Sequence, residues 1–130
     1  MTVYNDVLKA VIGLMNESKP YSTIYVGSDV PRNGISVLPN PASPNAFLDK
    51  NAVVEWIIAL NGKNENQMIV FETLNMIHLS LTRRKKYPSS INFQIYDIDT
   101  IGSPRLIGRE GNDQWIYGSS LRIKFYMRGD

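Results

Sequence analysis

The chain has 130 residues, 43% of them hydrophobic and 20% charged, with a formal net charge of +2; this balance fits one globular domain over residues 1–130 and excludes a largely disordered chain. It contains no cysteine, which excludes a disulfide framework, a zinc–thiolate site and a thiol nucleophile. The charge is unevenly spread, with five Lys/Arg against seven Asp/Glu over residues 1–80 and nine against five over residues 81–130, an asymmetry suited to a polyanion or to head-to-tail contact between copies.

In chain order, helical spacing of Val7, Leu8, Val11, Ile12, Leu14 and Met15 predicts a helix over 5–16, capped by Asn5 and ended by "SKP" at 18–20. Lys9 interrupts this apolar stretch and no basic leader precedes it, so no signal peptide is expected. Nor does any apolar run reach the roughly 20 residues of a bilayer span, so no membrane partner is expected. Two strands, "STIYVGSD" (22–29) and "ISVL" (35–38), flank the turn chemistry of "PRNG" and are expected to form a hairpin. Residues 39–51, "PNPASPNAFLDKN", hold three of the seven prolines and read as an extended exposed loop. At its centre Ala46, Phe47 and Leu48 make an apolar triplet suited to docking on a partner.

"NAVVEWIIAL" (51–60) has apolar residues on both faces, as expected of a central strand covered twice or buried at an interface. After a turn at "NGKNEN", the spacing of Asn64 and Gln67 suits a capping box. The main helix is predicted over about 67–86, its stripe of Val70, Leu74, Ile77 and Leu81 broadened by Met68, Phe71 and Met76. Its end, "RRKK" (83–86), places cations where they offset the terminal carbonyl charge by roughly 0.3–1 kcal/mol each. "INFQIYD" (91–97) is the next strand, with Ile91, Phe93 and Ile95 on the core face; a turn-rich excursion, "DTIGSPRLIGREGND" (99–113), follows, with room for a short strand at Leu106 and Ile107. "QWIYG" and the long strand "SLRIKFYMR" complete the pattern. Few helices and mostly short strand connections predict an α+β domain, with a mixed, mostly antiparallel sheet and two main helices on one face.

Catalytic constellations are scarce. His78 is the single histidine and lies between Ile77 and Leu79, a core or boundary position without a metal-ligand set. "DID" (97–99) puts two carboxylates on one strand face but lacks further acids to hold a hard cation. Ser119 and Ser120 have no nucleophile-elbow context, and no glycine run cradles phosphate. No catalytic, metal or cofactor residue is therefore assigned, and an enzyme is not expected. The closing strand is the candidate contact surface. Leu121, Ile123, Phe125 and Met127 alternate with Arg122, Lys124, Tyr126 and Arg128, so one face packs and the other meets water, a neighbouring subunit or nucleic acid.

The layout of a short helix, "TIYVGSDVPRNGISVLPNP", "VVEWIIAL", "QMIVFETLNMIHLSLTRRK" and the closing "DQWIYGSSLRIKFY" resembles the small minor-capsid, tail-terminator or tail-completion proteins of long-tailed phages and prophages of Gram-positive bacteria. The resemblance implies a structural virion protein, made in the bacterial cytoplasm and placed at the tail–head junction. Such proteins assemble as a ring, commonly of six subunits, which caps the tail tube, halts its polymerisation and offers a surface to the head connector. On that reading the basic face of the closing strand contacts a neighbouring subunit or lines a channel through which DNA passes nonspecifically. Two alternatives remain: a head-completion or stopper protein of the same neck, and a small nucleic-acid-binding module.

Overall fold

The computed structural model describes residues 3–41, 45–46 and 52–128. In chain order the elements are α1 (Val3–Glu17), β1 (Ile24–Val26), β2 (Ile35–Pro39), β3 (Asn45–Ala46), β4 (Ala52–Asn64), α2 (Gln67–Thr82), β5 (Phe93–Glu110) and β6 (Gln114–Met127). The six-stranded sheet runs β1-β2-β4-β6-β5, with β3 paired to β4 off that path. Among the described residues, β1 and β2 alone pair in parallel. This is the α+β domain expected, a mostly antiparallel mixed sheet with α1 and α2 packed on one face.

Alternation in the central strands makes the core. Val54, Trp56, Ile58 and Leu60 of β4 and Leu121, Ile123 and Phe125 of β6 turn toward the helices and are buried. They meet Val7, Val11, Leu14 and Met15 of α1 and Val70, Leu74, Ile77 and Leu81 of α2. Tyr4, Trp56 and Phe125 form an edge-to-face trio with centroids 5.2, 5.8 and 6.3 Å apart, which ties the start of α1 to the centre of the sheet.

The expected hairpin at 22–38 is absent. Ile24 pairs with Ile35 and Val26 with Val37 in a parallel ladder. The "PRNG" turn does form, with Asn33 at φ 50 and Gly34 so close to Pro31 that a Cβ there would sit 2.8 Å from the Pro31 carbonyl oxygen. It is held from afar rather than by flanking strands. Asn33 donates its N–H to Gln114 Oε1, while its own Oδ1 accepts from Gln114 Nε2 and the Glu65 amide. Arg32 pairs with Asp113 and Glu65. Anchored there, the chain re-enters the sheet in the same direction as it left.

Other boundaries shift for physical reasons. β4 continues through the expected turn to Asn64, opposite Trp115. The α2 cap is therefore Asn66, whose side chain accepts from the amides of Met68 and Ile69. Gln67 instead donates to the Tyr117 hydroxyl at 2.8 Å. α2 stops at Thr82, not at Lys86, because the Arg83 amide, the Thr82 hydroxyl and the Tyr87 hydroxyl take the carbonyls of Leu79, His78 and Leu81. Met68 and Met76 do not broaden the core stripe: they are 60% and 54% exposed. Ile91 lies before β5 and is 85% exposed, a correction to its expected core position.

The excursion after residue 97 is strand. β5 follows β6 to Glu110 through four register irregularities. It tolerates Pro104 because β5 is an edge strand, where one side of the backbone needs no ladder partner. Within the expected loop, Pro39 ends β2, and Asn45 and Ala46 pair with Val53 and Ala52.

Candidate functional site: the open face of the sheet

The face of the sheet turned away from the helices is built by the alternate residues of β4 and β6. In register, Tyr126 lies between Val53 and Gln94, Lys124 between Glu55 and Asp97, and Arg122 between Ile57 and Asp99. Paired residues on neighbouring strands point to the same side; alternation fixes the β4 and β6 members of this array, and a register shift between Ile95 and Asp97 brings the β5 members to the same face. Arg122, Lys124 and Tyr126 are half-buried there, as expected from their position opposite the core face.

The face is a charge mosaic, not a basic stripe. Lys124 Nζ stands 3.1 Å from Asp99 and 3.6 Å from Asp97, and Arg122 lies 3.9 Å from Asp99. The Lys124 ammonium holds the Asp99 carboxyl below its usual value, and Asp99 in return raises Lys124. The "DID" carboxylates thus serve as counter-charges to the closing strand. Around Asp97, Asp99, Arg122 and Thr82 the surface forms an open groove of about 590 Å³. Among the described residues no cluster of His, Asp or Glu is arranged to hold a metal ion.

The remaining candidates separate. Arg128 follows β6 and is exposed; its guanidinium donates to the carbonyls of Ser90 and Ile91, which joins the strand end to the segment before β5. Ala46 lies in β3, while Phe47 and Leu48 fall outside the described residues.

Sequence reasoning missed two features. One is a polar chain beneath α2, buried at His78 and Ser119 and exposed at Thr100. Ser119 Oγ donates to the Leu60 carbonyl at 2.8 Å, and His78 Nε2 and Nδ1 lie 2.8 and 2.7 Å from Ser119 Oγ and Thr100 Oγ1. Since the Ser119 proton goes to Leu60, Nε2–H must donate to Ser119 and Nδ1 must accept from Thr100. His78 is therefore a donor toward this serine, not a base acting on it. Burial pushes its pKa down to about 4. The strict i, i+41 pairing of His78 with Ser119 is a tertiary product with no local signal.

The second is the outer face of α2. Met68, Ile69, Met76 and Leu79 are 42–60% exposed and fall within about 100° of arc around Glu72, by the 3.6-residue period. The repeat of large apolar residues on that side was legible, but their outward direction was not.

No family model and no curated protein matches the chain. Among solved structures, a chain of the "Virion of native gene transfer agent (GTA) particle" matches with a TM-score of 0.59 at 12% identity, over 97% of this chain and 99% of that one. At this identity the likeness is one of fold, and it extends over nearly the full length of both chains.

Proposed function

We propose that this protein is a structural subunit of a phage-like virion. It assembles head-to-tail into a ring that caps the tail tube, ends its polymerisation and presents the surface for head joining. The observation that carries this reading is the near-complete fold correspondence with a chain of a virion particle. The subunit's surfaces support it. The open sheet face and the apolar outer face of α2 lie on opposite sides of a two-layer domain and differ in chemistry. Unlike surfaces on one subunit suit heterologous association, which closes into a ring when the rotation permits. The role is structural, with no catalytic residue or cofactor assigned.

Light scattering over a concentration series, combined with electron micrographs of the protein mixed with tail tubes, tests this reading. A monomer or weak oligomer that forms rings at high concentration or on tube ends is expected. A tight two-fold dimer that never docks on tubes would overturn it. Docking to the head connector but never to tubes would favour the stopper role.

A further inference from the structure

The four cations Arg83, Arg84, Lys85 and Lys86 fall beyond the end of α2, and none of their side chains donates to a carbonyl of that helix. The carbonyls of Leu79, His78 and Leu81 accept instead from the Arg83 backbone amide, Thr82 Oγ1 and Tyr87 Oη. Arg84 pairs with Glu17 of α1 at 3.2 Å. Arg83, Lys85 and Lys86 are exposed and make no ion pair among the described residues. Like charges held this close repel one another, and of the four only Arg84 meets a carboxylate among the described residues.

The local shape gives these charges a direction. Lys85 and Lys86 stand on a ridge between two shallow grooves of about 360 and 370 Å³. Leu79, Ser80, Arg83 and Arg84 line the first groove with them, and Tyr87, Ser89, Gln94 and Tyr96 are on the second. Exposed cations between two grooves, with the hydroxyl of Ser80 on one flank and those of Ser89 and Tyr96 on the other, match the way proteins hold phosphodiester backbones. The charge mosaic on the open sheet face differs here, since its lysine and arginine are occupied by Asp97 and Asp99.

We infer that Arg83, Lys85 and Lys86 form a sequence-independent contact for the phosphate backbone of duplex DNA. The inference does not depend on ring formation, because one subunit carries the whole site.

Fluorescence anisotropy with a labelled duplex of random sequence, over a salt series, reads it out. Three phosphate contacts predict that affinity falls about 40-fold between about 50 and 200 mM salt. The combined variant Arg83→Ser, Lys85→Ser and Lys86→Ser should lose most of this binding and its salt slope while unfolding at an unchanged temperature. A control with the same charge loss at exposed, scattered positions, Lys9→Ser, Lys19→Ser and Arg105→Ser, should bind almost as the parent does. Equal loss in both variants, or no salt-dependent binding by the parent, overturns the site. Competition by poly-glutamate as effective as by DNA of equal charge also overturns it, in favour of an acidic protein partner. A subunit that binds DNA this way but never forms rings would leave this site standing and remove the tail-cap reading alone.

Discussion

At the scale of single residues, His78 shows how a lone titratable group becomes a structural element. Its neutral ring bridges Thr100 of β5 and Ser119 of β6, and through Ser119 reaches the Leu60 carbonyl of β4. Folding lowers its pKa from 6.5 to about 4 through burial. The neutral-state contribution is therefore complete above about pH 6.5 and is lost as pH falls toward 4. Thermal unfolding followed between those values should show a decline that His78→Leu flattens, and the imidazole C–H resonances should titrate near 4. A midpoint near 6.5 would mean the ring is not held neutral by burial.

At the scale of elements, the "PRNG" turn decides the direction of β2. Its Asn33 occupies a left-handed conformation and shares three hydrogen bonds with Gln114 and Glu65, while Gln114 is 2% exposed. Asn33→Ala removes the acceptor serving a buried amide and leaves, at positive φ, a residue without the polar side chain that eases this conformation. Removing one partner of a buried polar group costs about 1–3 kcal/mol, so a loss of that size is expected in denaturant unfolding. Hydrogen exchange should quicken first at Gly27, whose amide donates to Val37, because the parallel edge depends on this anchor. Unchanged exchange there would show that β1 holds its place without the turn.

At the scale of the whole molecule, the two faces of β6 divide packing from contact. Phe125 is fully buried, so Phe125→Ala should cost about 3–5 kcal/mol and leave the subunit partly or wholly unfolded. Replacing Arg122, Lys124 and Arg128 together by Ser should keep the fold, because the half-exposed ion pairs of Arg122 and Lys124 contribute about 0–1 kcal/mol each and the exposed hydrogen bonds of Arg128 about 1 kcal/mol. Circular dichroism and unfolding temperature check that part. Assembly is where the triple variant should fail, as tails of uncontrolled length or tails that do not join heads. If infectious particles still form, the open face is solvated and the ring interface lies elsewhere.

Local chemistry determined much of this protein. Alternation in "LRIKFYM" placed Phe125 in the core and Lys124 outside it, because the side-chain period of a strand is two whatever surrounds it. The 3.6-residue spacing of Val70, Leu74, Ile77 and Leu81 likewise fixed the buried side of α2. The α+β class followed from these patterns. Tertiary structure alone decided the direction of β2, since Asn33 and Gln114 are 81 residues apart and no window of sequence brings them together. It also carried β5 through Pro104, because an edge position and the register irregularity between Gly102 and Arg105 leave that proline no ladder bond to make. The candidate face shows the same division. That Arg122 and Lys124 leave the core was readable from their own strand; that Asp97 and Asp99 neutralise them required the register of β5 on β6, which long-range hydrogen bonding sets.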